Sequence, residues 1–155
     1  MYKSALVFAC LALSATTANA ETVEGRVQVL AGSELADEAD GFIGAALGAD
    51  YEIDKHTFIG AEVSVDHALS HHDVPTWRRH LGDTTGSLVG RAGGTFEEVY
   101  KVYALAGVKM GSEETVPVYG MGIERKFGSY LASLEYRHVS EVGTDQIAFA
   151  IGITF

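Results

Sequence analysis

The chain has 155 residues, with 21 acids against 11 bases for a formal net charge of −10, 18 glycines, 2 prolines and a single cysteine. That acidity argues against nucleic acid, whose phosphates need a basic face. One cysteine excludes an internal disulfide framework, and no run of eighteen apolar residues lies beyond the first twenty residues to form a transmembrane helix.

The N-terminus carries Lys3, a short apolar run from Ala5 to Leu13, and Ala18-Asn19-Ala20 before Glu21. A positive start, a brief apolar stretch and a small-x-small site predict a secretory signal peptide over 1–20. The mature chain is then 21–155, a length that fits one domain. Cys10 falls within the leader, so the mature chain has no thiol.

Eight segments alternate with a period of two, the signature of strands. They run roughly over 22–31, 42–53, 57–66, 85–96, 99–110, 115–126, 129–139 and 145–155. Most approach the 9–11 residues that a tilted strand needs to cross a bilayer. The connections alternate in length. Those after the second, fourth and sixth strands are very short, those after the fifth and seventh are moderate, and those over 32–41 and 67–84 are long. This order predicts short turns at one end of an even-stranded barrel and longer loops at the other.

Alternation divides the side chains into two faces. Val23, Val27, Val29, Ile43, Leu47, Tyr51, Ile59, Val63, Val65, Leu88, Val102, Val108, Tyr119, Met121, Ile123, Leu134 and Tyr136 share the apolar one. The opposite face holds Glu24, Arg26, Gln28, Glu62, Arg91, Lys101, Glu124, Glu135 and Arg137, interspersed with Gly44, Gly48, Gly60, Gly107, Gly120 and Gly122. Four acids meet four bases there, and Lys109 is a candidate fifth base. In a narrow interior such charges must pair, because a lone buried charge is expensive. An ion-paired, plugged lumen follows rather than an open channel. A narrow pore for ions or small solutes is the alternative. Tyr51, Phe58, Phe96, Tyr100, Phe127, Tyr130 and Phe155 fall near the short turns and predict an aromatic girdle at the periplasmic interface.

The final strand, Asp145 to Phe155, sets Ile147, Phe149, Ile151, Ile153 and Phe155 against Gln146, Ala148, Ala150, Gly152 and Thr154. With Gly120-Met-Gly122-Ile-Glu124 and Leu134-Glu135-Tyr136-Arg137, this ending resembles the eight-stranded outer-membrane β-barrel superfamily, including opacity-type and porin-like surface antigens of Gram-negative bacteria. The resemblance implies an all-β, eight-stranded antiparallel up-and-down transmembrane barrel. It implies delivery through the periplasm to the outer membrane, contact with outer-membrane lipid and lipopolysaccharide, and a monomer. It brings no cofactor. A non-enzymatic surface or envelope role, with a surface partner met through 32–41 and 67–84, is the expected function.

Two clusters suggest more. His67, His71, His72 and His80 crowd one long loop, and imidazoles suit zinc, copper or nickel, although their spacing matches no fixed metal motif. Trp77, Arg78 and Arg79 in the same loop are a candidate contact for lipopolysaccharide phosphates or a partner. At the other cluster, a hairpin over 140–144 would set Asp145 opposite His138, next to Ser140: a nucleophile, a base and an orienting acid. This arrangement resembles lipid A 3-O-deacylases, implying an esterase at the outer rim. It departs from that family in having Glu141 where Asn is usual, a shorter hairpin, and Asp145 in place of a more distant Glu.

Overall fold

In a computed structural model the chain is described over residues 23–35, 41–69, 83–112, 114–140 and 143–155. The proposed leader 1–20 lies outside them. Eight strands form: β1 Val23–Leu35, β2 Gly41–Asp54, β3 Thr57–Ala68, β4 Thr84–Phe96, β5 Tyr100–Met110, β6 Thr115–Phe127, β7 Tyr130–Val139 and β8 Thr144–Thr154. Each pairs antiparallel with the next, and β1 pairs with β8, so the sheet closes on itself. Closure removes the unpaired edge that a sheet would otherwise present.

The closing seam runs from Arg26 opposite Thr154 to Leu35 opposite Asp145. The chain end completes it. Gly25 N–H donates to Phe155 O at 2.8 Å, and Phe155 N–H donates to Gly25 O at 3.0 Å. Two strands run further than periodicity predicts. β1 continues through Gly32, Ser33 and Glu34 because both of its neighbours supply partners there: Gly41 and Phe42 on β2, Gln146 to Ala148 on β8. β3 continues to Ala68, paired with Phe42. Glu34 is consequently buried rather than part of a solvated acidic loop.

Alternation sorts the faces as expected. Val29, Val65, Met121, Phe149 and Ile151 are each more than half exposed, at 63%, 57%, 64%, 52% and 56%. A closed barrel that is apolar outside and charged inside is the form that satisfies all its backbone groups within a bilayer. The interior is less uniformly polar than the sequence suggests. Val89, Leu105, Val116, Val118 and Val139 pack with Phe58 and Tyr103 on one side, and Leu30 and Phe42 pack with Ala46, Ala148 and Ala150 on the other. Bulky apolar side chains fill volume that glycines and charges leave open.

Phe58 is a correction to the girdle. It points inward and is fully buried, because it shares its face with Gly60, Glu62 and Ser64. Tyr51, Phe96, Phe127, Tyr130 and Phe155 remain exposed near the short turns.

The turns differ in chemistry. At β2–β3, Asp54 Oδ1 accepts the His56 backbone N–H at 2.7 Å, which holds that carboxyl below the usual carboxylate range. At β4–β5, Glu97 and Glu98 both have left-handed backbones, with φ of 51° and 60°, and Val99 N–H returns to Phe96 O at 3.2 Å. This geometry belongs to the two-residue turn that favours Asn-Gly, and a side chain in it is strained. The double substitution Glu97→Asn with Glu98→Gly should therefore stabilise the barrel by about 1 kcal/mol, measured as a raised urea midpoint in lipid vesicles. An unchanged midpoint would show that the turn carries no strain.

Candidate functional site

The charged lumen is the densest chemical feature. Asp50 is its hub. Arg26 Nη1 donates to Asp50 Oδ1 at 2.7 Å, and Lys101 Nζ and Arg91 Nη2 donate to Asp50 Oδ2 at 2.9 and 3.2 Å. From this hub the bonds spread across the barrel. Arg26 Nη2 reaches Glu62 at 2.9 Å, and Arg137 Nη2 reaches the other Glu62 oxygen at 2.9 Å. Arg137 Nε also donates to Glu135 at 2.8 Å, whose second oxygen accepts the Tyr103 hydroxyl at 2.6 Å. Arg91 bonds Glu124 at 3.1 Å, and Lys101 bonds Glu24 at 3.1 Å. Lys126 also pairs with Glu24, at the half-buried mouth.

All eight charged residues singled out for the lumen, Glu24, Arg26, Glu62, Arg91, Lys101, Glu124, Glu135 and Arg137, thus lie in one connected array. Aromatic faces support the cations. The Arg91 guanidinium lies 3.8 Å from the Tyr103 ring centre and 5.2 Å from that of Phe58, and Lys101 Nζ lies 4.8 Å from Phe58. A second group sits toward the long-connection end. Lys109 Nζ bonds Asp66 at 3.1 Å and Gln146 at 3.3 Å, and Gln146 donates to Glu34 at 3.1 Å.

Periodicity carried the signal for the residues it did not single out. Asp50 shares its face with Gly44 and Gly48, and Asp66 shares its face with Glu62 and Ser64. Both lie within the expected strands 42–53 and 57–66, so their parity alone places them on the inner face. Glycine makes the room these side chains use. A Cβ at Gly48 would sit 2.5 Å from Arg26, one at Gly60 would sit 2.2 Å from Asp50, and one at Gly122 would sit 2.5 Å from the Tyr103 ring.

Glu24, Asp50 and Glu124 hold carboxylate oxygens within 4.8 Å of one another, a spacing that suits a metal ion. Lys101 already bonds Glu24 and Asp50, and Arg91 bonds Asp50 and Glu124, so side-chain cations fill that role. Of the histidines considered for a metal, His67 is exposed and bonds Thr84 Oγ1 at 2.9 Å, whereas His71, His72 and His80 lie outside the described residues, as do Trp77, Arg78 and Arg79.

At the same long-connection rim, His138 and Asp145 face each other across β7 and β8. His138 Nδ1 is 2.7 Å from Asp145 Oδ1, which also accepts the Tyr136 hydroxyl at 2.7 Å. Tyr119 stacks at a tilt on His138, with ring centres 5.0 Å apart. Ser140 is held by its backbone, whose N–H donates to Pro117 O at 2.9 Å. Among the described residues the structure pairs the base with the acid, and no hydrogen bond joins the Ser140 hydroxyl to His138.

No protein-family model matches the chain, and no curated protein does. Solved structures do. The attachment invasion locus protein Ail of Yersinia pestis aligns with a TM-score of 0.62 at 15% identity, over 87% of this chain and 99% of that one. The fold is that of the eight-stranded outer-membrane β-barrels. Neisserial surface protein A aligns with a TM-score of 0.52 at 12% identity, over 85% of this chain and 95% of that one. A de novo designed transmembrane β-barrel aligns at 0.54 and 14% identity, over 85% and 95%. A designed barrel among the matches underlines that the likeness is one of architecture.

Removing the hub tests the lumen array. Asp50→Asn leaves three cations short of an anion and should destabilise this outer-membrane-type barrel by about 3 kcal/mol. Adding Lys101→Met should recover part of that loss. Urea unfolding in vesicles reads both, and an Asp50→Asn midpoint equal to wild type would show that the array contributes nothing.

Proposed function

We propose that the protein is a small monomeric outer-membrane barrel with a non-enzymatic surface or envelope role and a lumen plugged by its own paired charges. The observation that carries the plug is the cross-lumen array centred on Asp50, joining side chains of β1 through β7. An eight-stranded interior is just wide enough for its side chains to fill it. Long charged side chains bonded across it, with Tyr103 and Phe58 packed against them, support a lumen closed to ions. Secretion uses the leader 1–20, and the mature chain starts at Glu21. Contacts with lipopolysaccharide and with a surface partner belong to the long connections between β1 and β2 and between β3 and β4.

The His138–Asp145 bond supports a second reading, an esterase acting on lipid A at the outer rim. The first reading is favoured because, among the described residues, no hydrogen bond joins the Ser140 hydroxyl to His138, and a serine nucleophile needs its base within hydrogen-bond reach. The bonds of Asp145 to both Tyr136 and His138 suit a structural clamp across the last hairpin.

Planar-bilayer recording tests the plug. The purified barrel should give no stable conductance steps, and Asp50→Ala combined with Arg91→Ala should introduce them. Steady unitary conductance from wild type would contradict the plug and favour the pore. Mass spectra of lipid A from cells producing wild type and Ser140→Ala should be identical, and a deacylated product only with wild type would establish the esterase.

A further inference from the structure

The outer face of the described strands carries one cation with no carboxylate partner among the described residues. Of the lysines and arginines in the described strands, Arg26, Arg91, Lys101, Lys109, Lys126 and Arg137 point inward, and only Arg125 points outward. It stands at the short-turn end of β6, two residues past the lipid-facing Ile123. Among the described residues no carboxylate pairs with it. Its neighbours are two aromatic faces: the guanidinium carbon lies 5.1 Å from the centre of the Tyr100 ring and 4.7 Å from that of Phe127.

Register explains the arrangement. Tyr100 is the direct partner of Arg125 across β5, and Phe127 is the next residue on the same face of β6. On the third side the direct partner is Ala132, too small to cover the guanidinium. Both rings lie within cation–π distance of the guanidinium, an attraction to the ring faces that uses none of its N–H donors. A guanidinium at the border of an apolar belt, without a protein anion, meets the level at which lipid headgroups lie. Its planar fork of donors matches a phosphate bidentately.

We propose that Arg125, framed by Tyr100 and Phe127, binds the phosphate of a phospholipid in the leaflet at the short-turn end of the barrel. Ile123 and Val102, exposed just deeper on the same two strands, provide the surface for its acyl chains. The aromatics hold the guanidinium at one depth, so the site fixes the height of the barrel as well as a lipid. This assignment rests on the membrane reading above.

The test is native mass spectrometry of the folded barrel released from detergent with dioleoyl phosphatidylglycerol, with dioleoylglycerol, or with inorganic phosphate. Wild type should retain phosphatidylglycerol and not dioleoylglycerol. Arg125→Gln should retain about tenfold less, consistent with loss of a charge-assisted contact, and Arg125→Lys should fall between. Lys55→Gln, a change in the exposed β2–β3 turn, should bind as wild type does. Equal phosphatidylglycerol retention by wild type and Arg125→Gln would overturn the proposal. So would equal retention of dioleoylglycerol, or binding of inorganic phosphate as tight as that of the lipid. Unboiled gel mobility of each variant separates this failure from failure of the membrane reading: a folded, fast-migrating Arg125→Gln with unchanged lipid binding refutes the site alone.

Discussion

Charges inside a barrel this narrow must neutralise one another, and the rest of the structure follows from that constraint. Eight strands enclose little more than their own side chains. Arginine and lysine placed there have no bulk water to solvate them, and each needs an anion within bonding distance. Asp50 supplies three of those bonds, from side chains on β1, β4 and β5. Glu62 joins β1 to β7 through Arg26 and Arg137. These links cross the lumen, whereas the backbone ladder links only neighbouring strands. They therefore fix the register of strands that never touch. The glycines opposite the charges belong to the same design: without the space at Gly48 and Gly60, neither Arg26 nor Asp50 could occupy its present position.

The two faces were legible in the sequence because a barrel strand crosses a sharp boundary between lipid and lumen. Parity alone places Arg26, Glu62, Lys101, Glu124 and Arg137 inside and Val29, Met121 and Phe149 outside. Legibility fails where an element's end is at issue. Glu34 obeys parity but stands in the expected loop 32–41, and pairing with β8 is what places it in β1, whereas Asp50 and Asp66 lie within the expected strands 42–53 and 57–66 and their inward parity was readable. Phe58 fails for the opposite reason. Its nearness to a turn suggests the girdle, while its parity places it inside. Which acid meets which base depends on register and strand tilt around the closed sheet, and no single strand encodes either. The His138–Asp145 contact was legible because the two residues flank one hairpin.

The two rims use polar groups differently. At the long-connection end, Asp145 gathers the Tyr136 hydroxyl and the His138 ring on the outer surface across the last hairpin. At the short-turn end, backbone bonds tie the turns to each other, with Thr95 N–H to His56 O, Lys126 N–H to Val99 O and Thr154 N–H to Ser129 O each at 2.8 Å. Outside that ring sit the aromatics and Arg125, the one outward guanidinium of the described strands.

The central claim is that the chain closes into a membrane barrel with its charges inside, and the most direct test is heat-modifiability of the outer-membrane fraction on a gel. Closure through β1 and β8, with the array holding the lumen, predicts a protein that resists detergent until boiled and migrates faster unboiled than boiled. A soluble protein with identical mobility under both conditions would contradict the account, because it would require the apolar and charged faces to exchange places.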